Sequence, residues 1–133
     1  MVARVYSVAF QGVEVLEIDV QVQTSAGLPA FHIVGLGDKA VTESRERIRA
    51  CFHTLGLALP AKHITVNLAP ADVQKEGSHY DLPVALGLLV MMGVLNPDDI
   101  AEFTALGELG LDGSLAPVSG ILPAAIDTAA TGR

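Results

Sequence analysis

The sequence predicts an α/β (α+β) domain in which a mixed β-sheet packs against helices. Two observations predict it. Apolar residues repeat with a period of two in some segments and near 3.6 in others, giving the order ββ, β, α, β, α, ββ, α along the chain. Half of the residues are hydrophobic but only 5% are aromatic, so the core must be built from Val, Leu, Ile and Ala. At 133 residues the chain suits one domain, 1–133, with no internal repeat and no low-complexity segment.

The elements follow in order. Residues Val2 to Phe10 and Val13 to Gln23 alternate apolar and polar around a Gln11-Gly12 turn, the pattern of a hairpin with one buried face. "SAGLPA" is a loop and "FHIVGL" a short buried strand ending at glycines. In "DKAVTESRERIRACFHTLGL" the period changes: Val41, Ile48, Phe52 and Leu55 fall on one helical stripe, with Asp38 as N-cap and Gly56 just past the end. "KHITVNLAP" reads as the next strand, closed by Pro70.

Residues from Gln74 to about Tyr80 form a structural loop that includes Glu76 and Gly77 and in which Glu76 and Lys75 read as surface positions. A helix then runs from Asp81 or Leu82 to about Met92. Asp81 is placed as its N-cap, and Pro83 fits the first turn without losing a bond. "NPDD" caps a short helix, Asp112-Gly113 joins two short strands, and a last helix is expected from Ser119 to Ala130.

Charge and cysteine content narrow the function. Eight Lys and Arg against fifteen Asp and Glu give a formal charge of −7, which argues against a uniformly basic nucleic-acid domain. The single Cys51 excludes an internal disulfide, suits a reducing cytoplasm and reads as a buried thiol. The longest apolar run, about fourteen residues from Leu82, is shorter than the ~20 that a membrane-spanning helix needs. The N-terminus has no signal-peptide h-region, so the expected location is the cytoplasm without membrane attachment.

Motifs for phosphate and metal chemistry are missing. No Gly is followed by Lys, so no Walker A cradle is present, and "GLGDK" at Gly35 to Lys39 carries two glycines before a helix. That loop is either an anion-binding helix start or a plain strand-to-helix turn. His32, His53, His63 and His79 lack the short spacings of a metal site, so no metal and no cofactor is expected in this chain. Lys39, Arg45, Arg47 and Arg49 share one helix with Glu43 and Glu46, either a solvated face with internal ion pairs or a DNA or subunit contact. Ser78, His79 and Asp81 lie too close in one loop to face each other as a catalytic triad.

Three segments, "GLPAFHIVGLGDKAVTESRERIRA", "ITVNLAPADVQKEGSHYDLPVALGLL" and "ALGELGLDGSLAPVSGILPAA", together resemble the N-terminal domain of the YifB/ComM proteins, the magnesium-chelatase-like AAA+ proteins of bacteria. The resemblance implies the fold of the Lon protease C-terminal domain, related to domain 2 of ribosomal protein S5. It also implies a following AAA+ ATPase module, absent here, that uses ATP and Mg²⁺ in a ring. The ending at Arg133 then reads as a cut after an accessory domain.

Lon-type proteases carry a Ser nucleophile at the start of the helix corresponding to Asp81 to Met92 and a Lys after the final hairpin. Those positions fall at or next to Asp81 and at about Leu122, so neither residue of the dyad is expected. The family commonly has Pro where Gly37 stands, which predicts a looser loop here. The expected partners are the ATPase module, neighbouring ring subunits and, through Lys39, Arg45, Arg47, Arg49 and Lys75, DNA. The expected role is a non-catalytic accessory domain serving DNA guidance or subunit contacts. The alternatives are a pure assembly module or a hydrolase of Lon-like fold.

Overall fold

In the computed structural model, residues 2–116 are described. Strands β1 (Ala3–Gln11), β2 (Glu14–Ser25) and β3 (Ala30–Val34) precede helix α1 (Asp38–Thr54), and β4 (His63–Ala69) precedes α2 (Asp81–Met91). A four-residue α3 (Pro97–Ile100) and a small hairpin, β5 (Glu108–Leu109) and β6 (Leu115–Ala116), follow. The helix expected at 119–130 and the position of Leu122 lie outside the described residues.

The main sheet has the order β1-β2-β4-β3, with β1, β2 and β4 antiparallel and β3 parallel to β4. It is therefore mixed, as expected. Alternation fixes its faces: Val5, Ile18, Val20, Val22, Val66 and Leu68 are fully buried on one side. The opposite side is polar, where Asn67 donates to Gln21 (3.2 Å), and Gln21 (3.1 Å) and Arg4 (2.7 Å) donate to Asp19. The first turn sits one residue later than expected, at Gly12 and Val13, because Gln11 pairs with Glu14 and the backbone at Gly12 takes φ +61°.

The two long helices meet this core differently. Helix α1 buries a stripe containing Ile48, Cys51 and Phe52, with Val41 half-buried and Leu55 exposed at its end. Helix α2 is apolar on all sides and lies directly on the sheet: a Cβ at Gly87 would sit 2.5 Å from Val22 Cγ2. The β1 edge is covered in part by the 104–105 segment, where the Ala105 N–H donates to the Tyr6 carbonyl at 2.8 Å.

Candidate functional site

The two helices are joined by a buried carboxylate. Asp81 is 1% exposed and accepts four hydrogen bonds: from Ser44 Oγ (2.6 Å), Arg47 Nε (2.6 Å), Arg47 Nη2 (3.2 Å) and the Leu109 N–H (3.1 Å). It thereby ties α1, α2 and the β5 strand at one point. The hydrogen-bonded carboxylate holds the Arg47 guanidinium above its ordinary pKa, against the opposing effect of partial burial.

Asp81 is thus not the N-cap that its position suggests. It is the first residue of α2, Tyr80 precedes it as the cap, and no side chain caps the helix. The amide of Leu82 donates to the Gly107 carbonyl at 3.0 Å instead. With those amides served by backbone, the carboxylate is free to neutralise a guanidinium in a poorly hydrated place, the stronger use of a charge. Pro83 lies in the first turn as expected. In α1, likewise, Gly37 occupies the cap and Asp38 begins the helix.

Lys75 also differs from the surface position expected for it. It is 5% exposed and its ammonium donates to the carbonyls of Pro70 and Val73, closing the turn after β4. Its stem crosses Gly35, where a Cβ would meet Lys75 Cε at 3.2 Å and Leu68 Cβ at 3.0 Å, and where φ is +111°. Only glycine lets the chain pass under the lysine there. Burial lowers the Lys75 pKa, opposed by the Asp72 charge.

Ser78, His79 and Asp81 do not form a triad. His79 Nε2 pairs with the Val8 carbonyl at 2.7 Å, while Asp81 faces the other way into Ser44 and Arg47. Burial pushes the His79 pKa down, partly offset by the Val8 hydrogen bond. Tyr80 stacks on His79 with ring centroids 4.1 Å apart, and burial drives its hydroxyl pKa up.

Between the start of α1 and the 74–78 loop lies an open cleft of about 590 Å³. Its cations are Lys39, Arg47 and Lys75, and its anions are Asp38, Glu43 and Glu76, so the two signs balance. Glu76 stands exposed on its rim, as expected, with Gly77 exposed beside it. Gly37 is extended with φ −66°, a value that proline also adopts, and a Cβ there would meet nothing within 4 Å. The backbone at Gly37 thus already holds the shape that a proline would take.

The alternate spacing separates only Arg47, which turns to Asp81, from Arg45 and Arg49, which lie four residues apart and both face Phe31. Arg45 donates to the Phe31 carbonyl at 2.9 Å, and Arg49 lies over the Phe31 ring at 5.8 Å and pairs with Glu46 at 4.0 Å. The Lys39 side chain is 91% exposed, 3.9 Å from Glu43. Cys51 is buried and free, and burial raises its pKa. Among the described residues no group of three or more His, Cys, Asp or Glu could hold a metal ion, and no helix is long and apolar enough to cross a membrane.

Sheet, helix pair and buried carboxylate define a small α+β module whose most elaborate polar site ties its own elements together. Residues 20–133 match the family described as subunit ChlI of Mg-chelatase, and the chain belongs to this ChlI/Mg-chelatase-like family. Competence protein ComM of Haemophilus influenzae is 43% identical over 122 residues, covering 92% of this chain and 24% of that protein. YifB of Escherichia coli is 42% identical over 129 residues, covering 97% of this chain and 26% of that protein. A Mycobacterium bovis protein is 37% identical over 123 residues, covering 92% of this chain and 24% of its own length. The chain thus spans about a quarter of these relatives.

Proposed function

We propose that the chain is a non-catalytic accessory domain of a larger magnesium-chelatase-like AAA+ ATPase of bacteria, serving mainly contacts within and between subunits of a ring. The observation carrying this reading is the use of Asp81. Where the resemblance to Lon-type proteases would place a nucleophilic Ser, the chain has a carboxylate saturated by Ser44, Arg47 and the Leu109 amide. A group so engaged has no lone pair directed at a substrate, and no lysine follows Lys75 in the sequence to act as a base. ATP and Mg²⁺ belong in this reading to the ATPase module of the parent, and the parent acts in the cytoplasm. The relative named competence protein ComM favours a parent that processes DNA during transformation.

The test is peptide and casein hydrolysis by the chain beside its Ser78→Ala variant. No turnover above the blank is expected. Turnover that disappears in Ser78→Ala overturns the reading and restores a hydrolase.

A second role, DNA guidance, is favoured by the exposed Lys39 and Arg49 on α1. Arg47 and Lys75 hold inward partners and contribute less to it than their charge suggests. Fluorescence anisotropy of labelled single-stranded, duplex and forked DNA at low and moderate salt tests it. Salt-sensitive binding lost in Lys39→Ala/Arg49→Ala supports guidance, whereas no binding at low salt leaves the domain to subunit contacts alone.

A further inference from the structure

The sequence separates His32 from His63, but the parallel pairing of β3 with β4 sets them diagonally on the open polar face of the sheet. Ala30 pairs with His63 and His32 with Thr65, so both imidazoles rise from the same side of neighbouring strands. Their ring centroids are 5.0 Å apart with planes tilted by 40°. Among the described residues, neither ring has a hydrogen-bond partner. No described group therefore occupies the ring nitrogens, and His32 is exposed while His63 is half-buried.

We infer that His32 and His63 form a two-imidazole site for a borderline divalent transition ion such as Zn²⁺ or Cu²⁺. The geometry is the argument. A metal bound to both rings at about 2.0–2.1 Å, with a nitrogen–metal–nitrogen angle of roughly 90–110°, puts the ring centroids about 4.5–5.2 Å apart. The observed separation falls inside that window, so the two strands already hold the rings at the spacing that one shared ion requires.

The surroundings select the ion class. With no third His, Cys, Asp or Glu in reach among the described residues, water fills the remaining positions. A neutral nitrogen pair without carboxylates suits Zn²⁺, Cu²⁺ or Ni²⁺ and disfavours Mg²⁺ and Ca²⁺, which need oxygen ligands. The site lies on the sheet face opposite the core, apart from the cleft beside α1.

The experiment is a titration of the tag-free chain with ZnCl₂, CuCl₂ and MgCl₂ separately at pH 7.5. Zn²⁺ is followed by NMR of the imidazole C–H signals, and Cu²⁺ by EPR for coupling to two nitrogens. His32 and His63 signals should move together with Zn²⁺, Cu²⁺ should bind more tightly than Zn²⁺, and Mg²⁺ should shift neither ring at equal concentration. His32→Gln and His63→Gln should each weaken binding by about tenfold or more, and His53→Ala should not. Both glutamine variants change partly exposed side chains, and equal melting temperatures verify their folding. Binding that survives both substitutions, or Zn²⁺ shifts confined to His53 or His79, overturns the assignment.

Discussion

Asp81→Ala should be the most destabilising single substitution at the junction of the two helices. It removes the acceptor of three separate groups at once: the Ser44 hydroxyl, the Arg47 guanidinium and the Leu109 amide. Breaking a fully buried ion pair from one side costs about 3–5 kcal/mol. The Arg47 side chain keeps 21% exposure and has Glu43 at 4.0 Å, so its share lies at the low end of that range. Each of the other two donors costs about 1–3 kcal/mol if left unpaired, reduced where water enters the vacated space. With every share at its low end the expected total is about 5 kcal/mol, or roughly 15–20 °C in melting temperature for a chain of this size.

Urea denaturation followed by circular dichroism measures it. A double-mutant cycle with Arg47→Ala should give a coupling of about 2 kcal/mol, because the two side chains share one bond pair. Asp81→Asn, which keeps an acceptor oxygen but turns an amide toward the guanidinium, should cost about 2–3 kcal/mol. The reasoning fails if Asp81→Ala loses less than about 1 kcal/mol, or if the double mutant equals the sum of the single ones.

Three further outcomes are expected. Gly87→Ala should destabilise by about 1–2 kcal/mol despite its better helix propensity, because its methyl would lie 2.5 Å from Val22 Cγ2; thermal melting decides the sign. Gly37→Pro should stabilise by about 0.4–1 kcal/mol, since φ is already −66° and the gain comes from the unfolded chain; a lower urea midpoint would count against it. Burial lowers the folded His79 pKa, so the unfolded chain takes up a proton first near pH 6.5 and stability falls as pH drops below that value. Denaturation midpoints between pH 7.5 and 5.5 should show this fall in the parent chain and a flatter profile in His79→Gln.

Much of the fold was legible because periodicity is a local signal. The α1 stripe of Ile48 and Phe52, the alternation of β1 and β2, and the Asp112-Gly113 turn all depend on neighbours within one turn or one strand. The site was less legible because its partners lie far apart in sequence. Asp81 looks like a cap when only its own helix is considered, and nothing nearby shows that Arg47 waits across the helix junction. Lys75 looks like a surface charge until the turn at Pro70 and Val73 offers two carbonyls. The His32 and His63 pair depends on a parallel register between β3 and β4, which no local pattern encodes.

The arrangement of charge sets how strongly this domain alone could hold DNA. Of the five basic residues pointing that way in sequence, Arg47 and Lys75 hold inward partners and Arg45 is engaged by the Phe31 carbonyl. Lys39 and Arg49 remain, each near a glutamate on the same helix. Two phosphate contacts give a slope of only about −2 in log affinity against log salt, against about −10 for a protein making many contacts. A measured slope near −2, abolished in Lys39→Ala/Arg49→Ala, would make the domain a weak guide beside a stronger DNA-binding motor. A slope steeper than about −4 would require cations beyond these two, either the exposed Lys62 outside α1 or Arg47 or Lys75 released from its inward partner, and Lys62→Ala separates the two cases.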